Sequence, residues 1–105
     1  MSEGKWGLSA PTLAAICTIF AGEPRVEKAI LFGSRAKGTH RPGSDIDIAL
    51  VGEGLDIDIL GHLIRTFEES SIPYQVDLIL LAMVEHPPLR EHIERAGQLI
   101  YERKT

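Results

Sequence analysis

The sequence predicts a single α/β (α+β) domain, a small mixed β-sheet with helices packed on it. Three observations point there. Three short apolar runs, at residues 26–32, 45–51 and 75–81, have the length of strands. Around and between them lie stretches whose apolar residues recur at helical intervals. The chain has 105 residues and is 44% hydrophobic, which suits one core and one domain over 1–105.

Ser9 before Ala10 and Pro11 is a serine cap followed by a first-turn proline, a helix start. Leu13, Ile16, Cys17 and Phe20 then give that helix one face for the sheet, and Gly22 and Pro24 end it. Val26 to Phe32, apolar throughout from Ala29, predicts a strand covered on both sides. Asp45 to Val51 is the second strand, closed by Gly52-Glu53-Gly54. From Leu55 to about Ser71, Ile57, Leu60, Leu63, Ile64 and Phe67 fall at helical spacing. Pro73-Tyr74 breaks that pattern, and Gln75 to Leu81 reads as a third strand. His86-Pro87-Pro88 turns the chain into a last helix, Leu89 to Ala96, with Gly97 as its C-terminal cap. Gln98 to Tyr101 is then a short edge strand before a polar tail.

The net charge of −4 argues against a protein that holds nucleic acid by bulk electrostatics. A lone cysteine, Cys17, allows no internal disulfide and reads as a small buried thiol. Met1 to Gly7 lacks the charged-then-apolar pattern of a leader, and the apolar run after it is too short to span a bilayer, so no membrane role is expected and a cytoplasmic location is the default. His40, His62, His86 and His92 are not at metal-ligand spacing, so zinc is not expected.

The chemistry concentrates between the first two strands. Residues two apart on a strand share a face, so Asp45 and Asp47 project together while Ile46 and Ile48 enter the core. Two adjacent carboxylates repel unless a cation joins them, and hard oxygen ligands suit Mg²⁺. Gly33-Ser34 supplies the complementary half: glycine admits close approach of the backbone, and its amides attract phosphate. Metal and phosphate groups together suggest a bound metal–nucleotide. The loop that follows carries Arg35, Lys37, His40 and Arg41, either simply solvated or offsetting triphosphate charge, with Arg35 the first candidate. A second Asp-x-Asp, Asp56 and Asp58, lies at a helix start, where acids favour the helix dipole, and is read as structural. Asp77 stands alone among apolar residues, either as a solvent-facing strand-edge acid or as one that something pairs.

Gly33-Ser34, ten residues, then Asp45-x-Asp47 resembles the signature of the polymerase β-type nucleotidyltransferase superfamily. Phe-Gly-Ser-Arg-Ala-x-Gly from Phe32 and Ser-Asp-Ile-Asp-Ile-Ala from Ser44 are similar to the minimal nucleotidyltransferase (MNT) group, and the tail from Pro88 to Arg103 is similar as well. The resemblance implies a polymerase β palm-like fold, with Gly33, Ser34 and Arg35 on the nucleotide and Asp45, Asp47 and Asp77 as metal ligands and catalytic residues. It implies ATP as substrate, two Mg²⁺ ions, and Asp77 as the third carboxylate and a possible general base. MNT proteins pair with HEPN-domain RNase toxins, so it further implies an antitoxin that attaches AMP to a HEPN partner. One domain leaves no residues for recognising an acceptor, so the acceptor is expected to be a macromolecule. Two alternatives stay open: a catalytically idle subunit that neutralises its partner by contact, and a nucleotidyltransferase for a small molecule or RNA.

Overall fold

In the computed structural model, which describes residues 5–104, Ser9 starts the first helix as its sequence requires. Its hydroxyl accepts the Thr12 N–H at 3.2 Å, and Pro11 sits in the first turn, where no N–H is needed. Met1–Gly4, the start of the segment read as lacking a leader, and Thr105, the last residue of the polar tail, lie outside the described residues. Helix α1 (Ala10–Ala21) buries Ile16 and Phe20. Cys17 is half-buried on the same side; its thiol donates to the Ile100 carbonyl at 3.3 Å, and burial raises its pKa, so it is a packing residue.

Strands β1 (Lys28–Phe32), β2 (Ile46–Val51), β3 (Val76–Leu80) and β4 (Gln98–Glu102) form one sheet in the order β3-β2-β1-β4. β1 is antiparallel to β2 and β4, while β2 and β3 are parallel, so the sheet is mixed as expected. The parallel pair is joined through helix α3 (Ile57–Glu68). Asp56 caps that helix, its carboxylate accepting the Ile59 N–H at 2.9 Å, and Asp58 lies in the first turn. The second Asp-x-Asp is therefore structural, as read.

Register decides which face is dry. Ala29 and Leu31 pair with Leu50 and Ile48, which pair in turn with Leu80 and Leu78. Ile16 and Phe20 of α1 and Ile59, Leu63 and Phe67 of α3 join this row in one buried cluster. The Phe20 ring lies 5.4 Å from Phe67 and 5.9 Å from Tyr101, which ties α1 to α3 and to β4. The opposite face carries Ile30, Phe32, Asp47 and Asp77, and helix α4 (Pro87–Ala96) takes part of it with the buried Ile93.

Two expectations shift in detail. β1 is not covered on both sides, because α4 leaves Ile30 and Phe32 half-buried. α4 begins at Pro87 rather than Leu89, since a proline at the first helical position gives up no hydrogen bond. Gly97 caps the helix as expected, its N–H donating to the Ile93 carbonyl at 2.9 Å from an extended backbone (φ −65°, ψ 149°); a Cβ there would stand 2.5 Å from Ile30 Cγ2, so glycine also serves close approach of the helix end to β1.

Candidate functional site

β1 runs opposite to β2 and β3, so the end of β1 and the starts of β2 and β3 meet at one edge of the sheet. Phe32 pairs with Asp47, and Asp47 pairs with Asp77. The chain leaving Phe32 is Gly33-Ser34, followed by the single-turn helix α2 (Ser34–Lys37). The Gly-Ser corner, Asp47 and Asp77 therefore form a row across three strands, on the face that α4 shares.

Asp47 is half-buried, and its carboxyl is held above its ordinary pKa of 3.8. Burial is the largest cause, followed by the charges of Asp77 and Asp45 and then a hydrogen bond with Asp77. Asp77 itself is exposed on the outermost strand, with the Gln75 side-chain amide 3.4 Å from its Oδ1. Of the two readings left open for Asp77, its exposure matches the solvent-facing strand-edge acid.

Asp45 is exposed and precedes β2 by one residue, near enough for its charge to raise Asp47. Among the described residues no three His, Cys, Asp or Glu side chains converge on a point where a metal ion would sit. In place of the three-way meeting expected of Asp45, Asp47 and Asp77, the structure sets Asp47 and Asp77 abreast on paired strands, with Asp45 as a charged neighbour. The donors are all carboxylate oxygens, a set that fits a hard cation such as Mg²⁺ and suits no thiophilic metal.

Gly33 sets the corner against the acids. Its φ of 79° and ψ of −155° are open only to glycine, and a Cβ would stand 2.5 Å from Asp47 Oδ2. Gly33→Ala is expected to cost about 2 kcal/mol of stability, read as a lower urea midpoint at unchanged slope. The Gly33 N–H donates to His92 Nε2 of α4 at 3.1 Å, and that ring stands edge-on to Phe32 at 6.3 Å. Sequence reasoning weighed His92 only as a metal ligand; its partner is 59 residues away, and no local spacing announces such a contact.

Arg35 departs most from expectation. The sequence suggested a free cation for phosphate, but the side chain is only 2% exposed. Its Nε and Nη2 donate to the Ser44 carbonyl at 3.1 and 2.8 Å, its Nη1 donates to the Trp6 carbonyl at 2.8 Å, and the guanidinium lies 4.8 Å from the centre of the Tyr74 ring. Ser44 also closes a tight turn, donating its N–H to the Arg41 carbonyl at 3.0 Å and accepting the Arg41 N–H on its hydroxyl at 2.9 Å. Arg35 thus braces the residue just before Asp45, while Lys37 and Arg41 remain the exposed cations of this loop. Among the described residues no helix is long and apolar enough to cross a membrane.

Comparisons with known proteins bear on the family and the fold. The family model described as "Polymerase beta, Nucleotidyltransferase" matches residues 14–105. The Haemophilus influenzae protein named "Probable protein adenylyltransferase MntA" is 36% identical over 74 residues, covering 70% of this chain but 64% of that protein, so the match spans less than two thirds of that relative's length. A crystal structure of "the toxin-antitoxin with AMP-PNP" aligns with a TM-score of 0.71 and 26% identity, over 88% of this chain and 74% of that one. A complex of tri-AMPylated Shewanella oneidensis HEPN toxin with MNT antitoxin aligns at 0.66 and 22% identity, over 89% of this chain and 71% of that one, which shows a shared fold. A match that runs from within α1 to the last residue leaves one conclusion, that the chain belongs to the polymerase beta nucleotidyltransferase family.

Proposed function

We propose that the chain is a Mg²⁺-dependent nucleotidyltransferase that moves AMP from ATP to a protein acceptor, a HEPN-domain toxin, and acts as its antitoxin. The observation that carries this reading is the pairing of Asp47 with Asp77 across neighbouring strands, beside a glycine corner that closes on Asp47. The 36% identical relative bears the name of a protein adenylyltransferase, and the 26% identical structure is of a toxin–antitoxin with AMP-PNP; both support it.

In this reading Gly33 shapes the corner at which Ser34 receives the nucleotide's phosphates, and Asp45, Asp47 and Asp77 would hold the metal. Bound there, Mg²⁺ would supply Lewis acidity toward the phosphate and the attacking hydroxyl, two ions being expected. Asp77, exposed at the sheet's edge, takes the proton of that hydroxyl as its oxygen bonds to the α-phosphorus and pyrophosphate leaves. Lys37 and Arg41 replace Arg35 as the cations facing phosphate charge, and Arg35 acts through Ser44 to position Asp45. An acid row that repels itself lowers stability, which weighs against a merely contact-making subunit.

The test is incubation with α-labelled ATP and Mg²⁺, with and without a HEPN protein encoded beside this chain. Label on that partner is expected. A stable complex of the two proteins without label would end the adenylylation reading, and label on RNA or a small acceptor in the absence of any partner would reassign the substrate.

A further inference from the structure

We infer that His92 is a positioning residue, which fixes the phosphate-binding corner by accepting the Gly33 N–H. The inference rests on the corner's role in the function proposed above. The 3.1 Å bond from Gly33 to His92 Nε2 is the link between the corner and α4. Nε2 accepts only in a neutral ring whose proton sits on Nδ1. The same ring meets Phe32 edge-on, and Phe32 is the residue paired with Asp47. One side chain therefore touches both residues that precede Ser34.

The platform behind His92 is fastened. Its neighbour Ile93 is 1% exposed, Arg90 Nη1 donates to the Leu81 carbonyl at 2.7 Å, and the helix ends at the close approach of Gly97 to Ile30. α4 is thus held by the end of β3 and by the middle of β1, and His92 extends that support to the turn after β1. Gly33 adopts a backbone conformation open to glycine; its carbonyl accepts the Lys37 N–H at 3.2 Å, and on the amide side the Phe32–Gly33 peptide is held by this acceptor. The Gly33 N–H is committed to α4. Its contribution to nucleotide binding is to hold the turn rather than to contact phosphate.

The experiment compares His92→Leu, which removes the acceptor, with His92→Gln, whose side-chain oxygen restores one. ATP affinity with Mg²⁺ is measured by calorimetry, the urea midpoint is measured in parallel, and exchange of the Gly33 amide is followed by NMR. His92→Leu is expected to bind ATP about tenfold more weakly with faster Gly33 exchange, while His92→Gln stays within about threefold of the parent. Unchanged affinity in His92→Leu, equal loss in both variants, or a loss that merely follows the urea midpoint overturns the inference. Failure of the parent to bind ATP defeats the proposed function. Gly33 exchange then still decides the brace itself, which falls if the amide is as protected in His92→Leu as in the parent.

Discussion

Asp47→Asn is expected to reduce nucleotidyl transfer by about 100-fold or more and, in the same protein, to leave the metal-free fold as stable as the parent or more so at pH 8. The catalytic loss follows because the amide brings no charge to the row it shares with Asp45 and Asp77. The stability effect has the opposite sign because that charge is unwelcome in the resting fold. Burial, the charges of Asp77 and Asp45 and the bond with Asp77 raise the Asp47 carboxyl above 3.8, so the folded chain keeps a proton that the unfolded chain has released. Stability is therefore fullest below 3.8 and declines as pH rises from there through the raised value. Asparagine removes the decline. Urea midpoints in EDTA should favour the variant at pH 8, and the gap should close toward pH 4; a parent that is clearly more stable than the variant at pH 8 would contradict the account.

Arg35→Ala is expected to lower stability by about 3 kcal/mol or more. The change strips the Ser44 and Trp6 carbonyls of three donors and empties the space beside Tyr74. For a domain of this size that is a large part of the whole. Arg35→Lys should recover little, because an ammonium cannot reproduce the fork that grips Ser44 from two nitrogens while a third reaches Trp6. The measurement is the urea midpoint together with transfer activity at a temperature where the variant is still folded. A folded variant with full activity would remove Arg35 from the support of Asp45.

The parts of the site that were legible in the sequence are those with short-range rules. The place of Asp47 between the buried Ile46 and Ile48 follows from the alternation of a strand, Asp56 from helix capping, and the start of α1 from Ser9 and Pro11, whereas Asp45, read as the strand's first residue, lies just before it. Asp77 could be seen to lie on a strand, but its place beside Asp47 comes from a parallel register that no local pattern encodes; the resemblance supplied it. The sequence left its exposure open between two readings, since an apolar run reads alike on an inner or an outer strand. Arg35 was misread for a related reason. A basic residue in a glycine-rich loop looks solvated until the fold brings Trp6, Ser44 and Tyr74 around it. His92 reaches Gly33 across 59 residues, a contact set wholly by how α4 lies on the sheet.

No hairpin aligns β2 with β3, because same-direction neighbours are joined by a long crossover. What aligns them is Val76, Leu78 and Leu80 seated opposite Ile46, Ile48 and Leu50 on the waterless side. A slip of one position would separate the two aspartates, and it would also turn that whole oily row outward. Grease on one side of the ribbon thus keeps two mutually hostile groups abreast on the other, a tension that any arriving cation relaxes.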